Sequence, residues 1–161
     1  MRLAGTRDHA DEDADFGAST EGSLHGEVAG YTPVAAPGAR MIRTAELVPF
    51  LADVRPLVVD TVSNSWGRTI PGAIGLKFSG LGGSSADEAQ DRLRRKMVEL
   101  TRGNLNQPVV AVAVAASGWS SERFDGHNLA LRLVALGYTN VSGIAVVARL
   151  GRWRVCPRPS S

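Results

Sequence analysis

Residues 108–116 read Pro-Val-Val-Ala-Val-Ala-Val-Ala-Ala, an apolar run of strand length that contains no charge. Its β-branched valines favour extended backbone. A strand that is apolar on both faces is typical of the centre of a parallel sheet, where helices cover both sides. The run is too short to cross a bilayer. It therefore predicts the central strand of a soluble α/β fold.

Further strand patterns lie on both sides of this run. Residues 57–60 read Leu-Val-Val-Asp and predict a buried strand that ends in the carboxylate of Asp60. Residues 70–76 predict a turn that enters a second short strand, and residues 141–147 predict a last strand. Strands that alternate with helices indicate a central parallel sheet with helices on both faces.

Three helices are predicted between these strands. Thr44 is expected to cap a short helix that runs through Leu51. Residues 86–101 carry apolar side chains at three-to-four spacing, which predicts an amphipathic helix. Asp125 is expected to cap the third helix, and Gly137 to end it. Residues 117–123 are then a polar loop before that helix.

The ends of the chain differ in composition from its centre. The chain has 161 residues, which suits one domain with one core. Its acidic residues are concentrated near the start, where large apolar groups are scarce. We interpret residues 1–27 as an acidic disordered tail, 28–40 as an extended lead-in, 41–147 as the folded domain and 148–161 as a basic tail.

Charge and cysteine content exclude several classes of function. The 18 Lys and Arg residues are scattered, and those at 92–96 are interpreted as a solvated helix face. Without aromatic residues between basic ones, we expect no nucleic-acid partner. Cys156 is the single cysteine, which excludes a disulfide framework and a cysteine-based zinc site. We expect no metal, cofactor or membrane partner, and a cytoplasmic location because no secretory h-region is visible.

Three segments together resemble the rhodanese-like superfamily. Residues 57–60 resemble its second strand, which ends in aspartate, and Ile-Pro-Gly-Ala-Ile at 70–74 resembles its characteristic turn. Ala-Leu-Gly-Tyr-Thr-Asn-Val at 135–141 is similar to its passage from helix to strand, especially in bacterial members associated with quinoprotein alcohol catabolism. The resemblance covers about residues 40–147 and implies a rhodanese-like α/β fold.

The resemblance also implies a functional loop. In rhodaneses the fourth strand ends in a cysteine, which carries sulfane sulfur and opens a loop that wraps an anion. Residues 117–123 have the longer loop length of the related cell-cycle dual-specificity phosphatases. That alignment puts Ser117 at the cysteine position and Arg123 at the position of the anion-binding arginine. Counting from Pro108 instead puts the cysteine position near Ala113, and neither alignment contains a thiol.

The same loop predicts an oxyanion site on physical grounds. A loop that enters a helix N-terminus directs unpaired N–H groups and the positive end of the helix dipole at one point. Arg123 would add a planar fork for a phosphate-like group. The alternative is that the serines only cap the helix and that Arg123 pairs with Glu122 or Asp125. The candidate anion-binding residues are Gly118, Trp119, Ser120, Ser121, Glu122 and Arg123.

The remaining candidates give little support for catalysis. A serine hydroxyl at position 117 stays protonated unless a general base takes its proton. His127 follows Arg123 by one helical turn, but a solvent-facing side chain is the favoured interpretation. For Asp60, hydrogen bonds to the next turn are favoured over the buried support or general acid that the resemblance implies. The glycines of residues 80–83 lack a following Lys-Ser/Thr and are interpreted as a flexible turn.

The sequence therefore predicts a rhodanese-like pseudoenzyme or binding module for a small oxyanion or a protein partner. The alternative is a sulfurtransferase or phosphatase-like enzyme with a non-cysteine nucleophile.

The C-terminal segment departs from the rhodanese pattern in a way that suggests a shifted reading frame. After the valine that corresponds to Val141, related domains continue in the manner of Tyr-Trp-Tyr-Arg-Gly-Gly-Arg-Glu-Ala-Trp-Glu-Val-Ala-Gly-Leu-Pro. One synonymous coding of that segment, with a single base removed, translates as residues 142–157 of this chain. We hypothesise a frameshift after Val141, which would remove the family's last helix and leave Cys156 without functional meaning.

Sequencing the gene tests this hypothesis. We expect the +1 frame downstream of Val141 to encode a Gly-Gly and tryptophan segment like that of the family. A +1 frame without such a segment would leave a native, divergent tail as the explanation.

Overall fold

A computed structural model describes residues 36–61, 70–113 and 120–144, without the side chains of Thr44 and residues 120–124. The acidic tail, most of the lead-in, residues 117–119 and the basic tail lie outside these ranges. The strands are β1 Arg40–Ile42, β2 Leu57–Asp60, β3 Ile74–Gly75, β4 Val109–Val112 and β5 Val141–Ile144. The helices are α1 Thr44–Val54, α2 Glu88–Thr101 and α3 Ser120–Ala135.

The five strands form one parallel sheet in the order β1-β5-β4-β2-β3. Strand β4 is central, since Val110 lies beside Val58 of β2 on one side and Ser142 of β5 on the other. All four residues of β4 are buried, as its continuous apolar sequence predicts. The prediction of a central parallel strand is confirmed, although the described strand is shorter than residues 108–116.

Helices cover both faces of the sheet. Alternation along the strands directs Val59, Val109 and Ala111 into one core, which they share with α2 and α3. Val58, Val110 and Val112 point into the other core, which contains Leu47 of α1. The α/β class and the two-sided packing of the sheet are therefore confirmed. No helix within the described ranges is long and apolar enough to span a membrane.

Strand β1 is an element that the sequence did not predict. The residues before it turn at Gly38, whose φ is +81°, and Ala39 N donates to Ala36 O at 2.9 Å. The chain then pairs with β5 from Arg40 to Ile42. Three residues at the sheet edge are too few to show a two-residue period, and for this reason the strand was missed.

Helix α1 begins one residue earlier than predicted. Arg43 is its N-cap, and Thr44 is the first helical residue, so the prediction that Thr44 caps the helix is wrong. The N–H of Arg43 donates to Oε2 of Glu46 at 2.9 Å. The side chain of the third helical residue thus supplies an acceptor for the backbone N–H of the N-cap. The helix also runs past the predicted end to Val54.

Helix α3 begins at Ser120, so Asp125 lies in its second turn and does not cap it, contrary to the prediction. Residues 120–123, which were predicted as part of a polar loop over 117–123, form the first helical turn instead. The other end is as predicted: Gly137 has φ +97° and Tyr138 N donates back to Leu133 O at 3.2 Å.

Candidate functional site

The carboxyl ends of β2, β4 and β5 meet at one edge of the sheet, where α/β proteins bind their ligands. Asp60, the last residue of β2, is fully buried at this edge. The next residue, Thr61, is also buried, and its N–H donates to Val112 O at 3.0 Å. The ends of β2 and β4 are thus held together beyond their last paired residues.

A glycine brings the second turn of α3 against two of these strand ends. A Cβ atom at position 126 would lie 3.2 Å from Ala113 N and 3.4 Å from Ile144 O. A larger side chain at Gly126 would move the helix away from β4 and β5. Because α3 runs back along the sheet from this contact, its first turn, residues 120–123, lies at the carboxyl edge.

A second glycine lies between α3 and the end of β2, where there is no room for a side chain. A Cβ atom at position 80 would lie 2.8 Å from Cγ2 of Thr61 and 2.7 Å from Cβ of Asp125. Gly80 is buried, and its carbonyl accepts from Nδ2 of Asn128 at 3.0 Å. The second turn of α3 therefore packs against the ends of β4 and β5 at Gly126, and against the end of β2 through Gly80.

The glycine–serine loop, residues 80–85, is anchored by a buried arginine of α3. Arg132 is fully buried, and Leu81 O accepts from its Nε at 3.1 Å and from its Nη2 at 2.8 Å. Nη1 donates to Ser84 O at 3.2 Å and to Oε1 of Gln90 at 3.1 Å. The interpretation of this loop as a flexible turn is therefore revised, since its carbonyls are held by side chains of α3.

Asp87 provides the countercharge for this arginine. Its Oδ1 lies 2.8 Å from Nη1 of Arg132, and its Oδ2 lies 2.9 Å from Nη2, a bidentate pair. Asp87 is also the N-cap of α2, because Oδ1 accepts from Gln90 N at 2.8 Å. These hydrogen bonds, above all those from Arg132, hold the pKa of the Asp87 carboxyl far below its usual range.

The predicted site residues divide into three groups. Ser117, Gly118 and Trp119 lie outside the described residues. Ser120, Ser121, Glu122 and Arg123 form the first turn of α3, but their side-chain contacts stay predictions. Asp60 is buried at the same sheet edge as that turn. The structure thus brings the backbone of residues 120–123 and the side chain of Asp60 to one edge.

His127 is fully buried, so the favoured interpretation of a solvent-facing side chain is wrong. Every residue from 126 to 133 is buried, because the sheet covers one side of α3 while α2 and the glycine–serine loop approach another. This stretch therefore has no solvated face.

Sequence reasoning missed the polar residues that anchor the glycine–serine loop. Asp87 and Gln90 have the spacing of a capping pair ahead of a helix, which was a usable signal. Arg132 gave no such signal, since arginine is rarely buried without a partner and the partner lies 45 residues away. Within the described ranges, no group of three or more His, Cys, Asp or Glu side chains is placed to hold a metal ion.

Comparisons with protein-family models, with curated proteins and with solved structures find no match for this chain. The structure defines it as an α/β protein with a five-stranded parallel sheet.

Proposed function

We propose that this chain is a rhodanese-like binding module with an oxyanion site at residues 117–123 and without sulfurtransferase activity. The observation that carries the proposal is the order of elements along the chain. The second strand ends in Asp60, the 70–73 turn precedes the third strand, and the fourth strand leads within a few residues into α3. That order agrees with the three sequence segments on which the resemblance rests.

The start of α3 supports anion binding. The helix has 16 residues, and its first N–H groups have no acceptor within the helix. The helix dipole adds positive potential at the same end. Arg123 belongs to this first turn, and the proposal assigns its guanidinium to a bidentate contact with the oxyanion.

The absence of a thiol supports a binding role rather than sulfur transfer. Ser117 occupies the cysteine position, and Ala113, the position in the other alignment, has no nucleophile. A hydroxyl stays protonated at neutral pH without a general base and does not accept sulfane sulfur as a thiolate does.

A saturable effect of sulfate or phosphate on stability is the first expected result. A ligand that binds only the folded state raises the free energy of unfolding by about 2.7 kcal/mol at a hundred times its Kd. Arg123→Ala should abolish the rise in melting temperature, whereas Arg95→Ala, on the exposed face of α2, should retain it.

Equal responses of the two variants would indicate nonspecific screening by salt and would contradict the site. Ser117→Cys tests the alignment of the loop, because a thiol at a helix N-terminus should react near neutral pH. An unreactive thiol there would show that the loop is misaligned.

The second expected result is an absence of thiosulfate sulfurtransferase activity. Thiocyanate production from thiosulfate and cyanide should stay at background, because no loop thiol can carry the sulfur. Turnover near about 10 per second that persists in Cys156→Ser would contradict the proposal.

A phosphatase-like hydrolase with Ser117 as nucleophile is the second candidate function. The observation behind this candidate is that His127, one turn beyond Arg123 in α3, is buried and does not face solvent. Hydrolysis of p-nitrophenyl phosphate that disappears in both Ser117→Ala and His127→Asn would support the hydrolase and displace the binding module.

A further inference from the structure

The buried guanidinium of Arg132 is enclosed by oxygen atoms from the glycine–serine loop and from the start of α2. Backbone carbonyls, one carboxylate and one side-chain amide supply these oxygens, each between 2.8 and 3.4 Å from a guanidinium nitrogen. They are Leu81 O, Gly82 O, Ser84 O, Oδ1 and Oδ2 of Asp87, and Oε1 of Gln90. We call this set of acceptors the oxygen cage. Carbonyl, carboxylate and amide oxygens together are the donor set of a cation site.

The cage fits a planar, forked cation. Leu81 O accepts from both Nε and Nη2 of Arg132, and the two oxygens of Asp87 accept from Nη1 and Nη2 separately. The acceptors therefore surround several nitrogens and do not converge on one point. A calcium ion needs its oxygens at about 2.3–2.6 Å from one centre, and an ammonium group has a single nitrogen. A guanidinium is the cation that matches this arrangement.

Hydrogen bonds within the loop and the start of α2 hold the cage in shape without Arg132. Ser84 N donates to Oδ2 of Asp87 at 3.2 Å, and Gln90 N donates to Oδ1 at 2.8 Å. Asp87 N donates back to Ser84 O at 3.2 Å. Gly83 has φ +131°, and a Cβ atom there would lie 2.6 Å from Oδ2 of Asp87, so the close turn requires glycine. We expect the cage to persist when the side chain of Arg132 is shortened.

We propose that the oxygen cage is a binding site for a guanidinium cation, and that Arg132 is its intramolecular ligand in this chain. Shortening Arg132 to alanine leaves room for a free guanidinium ion, which takes the place of the side chain. The carboxylate of Asp87 supplies the countercharge, and its side chain is 30% exposed, which gives the ion a path from solvent. The oxyanion site at the start of α3 plays no part in this binding.

The melting temperature of Arg132→Ala in millimolar guanidinium chloride tests the proposal. A ligand at about ten times its Kd raises the folding equilibrium constant about elevenfold, so the melting temperature should rise and then level off. Ammonium chloride at the same ionic strength, and urea, which is planar but uncharged, should give no such rise. The wild type should give none either, because Arg132 fills its cage.

Asp87→Asn and Asp91→Asn, each combined with Arg132→Ala, are the matched controls. The first removes the countercharge of the cage while asparagine keeps the N-cap of α2, so its response to guanidinium should be lost. The second removes an exposed carboxylate that pairs with Arg94 at 2.6 Å, so its response should equal that of Arg132→Ala alone.

The absence of a saturable response to guanidinium in Arg132→Ala would overturn the proposal. An equal response to ammonium chloride would also overturn it, since only the missing charge would then be replaced. If Arg132→Ala is unfolded in buffer, the osmolyte trimethylamine N-oxide shifts it toward the folded state, and the same comparison of guanidinium with ammonium decides. A variant that stays unfolded under all these conditions would show that the cage does not form without Arg132.

Discussion

Replacing Asp87 with asparagine is expected to lower the free energy of unfolding by about 3 kcal/mol, because it leaves the charge of Arg132 buried without its countercharge. Arg132 is fully buried, while the side chain of Asp87 is 30% exposed. Asparagine is as good an N-cap as aspartate, so the start of α2 is preserved. The variant therefore isolates the loss of the charge, and urea unfolding measures it.

Asp91→Asn is the matched control on the same helix. Asp91 pairs with Arg94 at 2.6 Å, but both side chains are more than half exposed. Exposed pairs contribute about 0–1 kcal/mol, so this variant should unfold nearly as the wild type does. Equal small losses in the two variants would contradict the account of Arg132 as a buried charge that depends on Asp87.

The same pair predicts a dependence of stability on pH. The pKa of Asp87 is lower in the folded protein than in the unfolded chain, where an aspartate titrates near about 3.9. The stabilisation is therefore fully present above the unfolded pKa and is lost as the pH falls through the folded one. The difference in stability between wild type and Asp87→Asn should shrink as the pH falls below about 4.

Replacing Gly80 with alanine is expected to destabilise the protein by about 2 kcal/mol through overpacking. The added Cβ would lie 2.9 Å from Cα of Asp125, a backbone atom of a packed helix, and 2.8 Å from Cγ2 of Thr61. Neither neighbour is the far end of a flexible side chain, so either α3 or the end of β2 must move. Chemical unfolding measures the loss.

Gly143→Ala provides the comparison. Its Cβ would meet Sδ of Met41 at 2.9 Å, which is near the end of a flexible side chain. Alanine also reduces the entropy cost of glycine in a strand by about 0.5–1 kcal/mol, so the net change should be small. A loss in Gly143→Ala as large as that in Gly80→Ala would contradict close packing at the carboxyl edge as the specific cause.

The parts of the fold that sequence predicted are those with strong local patterns. Strands β2 and β4 contain apolar runs, and every residue of the two strands except the half-buried Leu57 is buried. The 70–73 turn precedes β3, and Gly137 ends α3. In each case the local preference of the chain and its tertiary environment favour the same conformation.

The parts that sequence missed depend on tertiary contacts. Asp125 resembles a helix cap, yet the helix starts earlier, and Gly126 in its second turn packs on the sheet. His127 was expected to face solvent, and no role was predicted for Arg132. Both are buried, Arg132 because the glycine–serine loop supplies acceptors far away in sequence. No local pattern reports such distant acceptors.

The most direct test of the oxyanion site is a crystal structure of the protein soaked with phosphate. The account predicts phosphate at the N-terminus of α3, within hydrogen-bond distance of backbone N–H groups in residues 117–123 and of the Arg123 guanidinium. Phosphate bound only by exposed basic residues such as Arg95, or by no residue at the carboxyl edge of the sheet, would contradict the account.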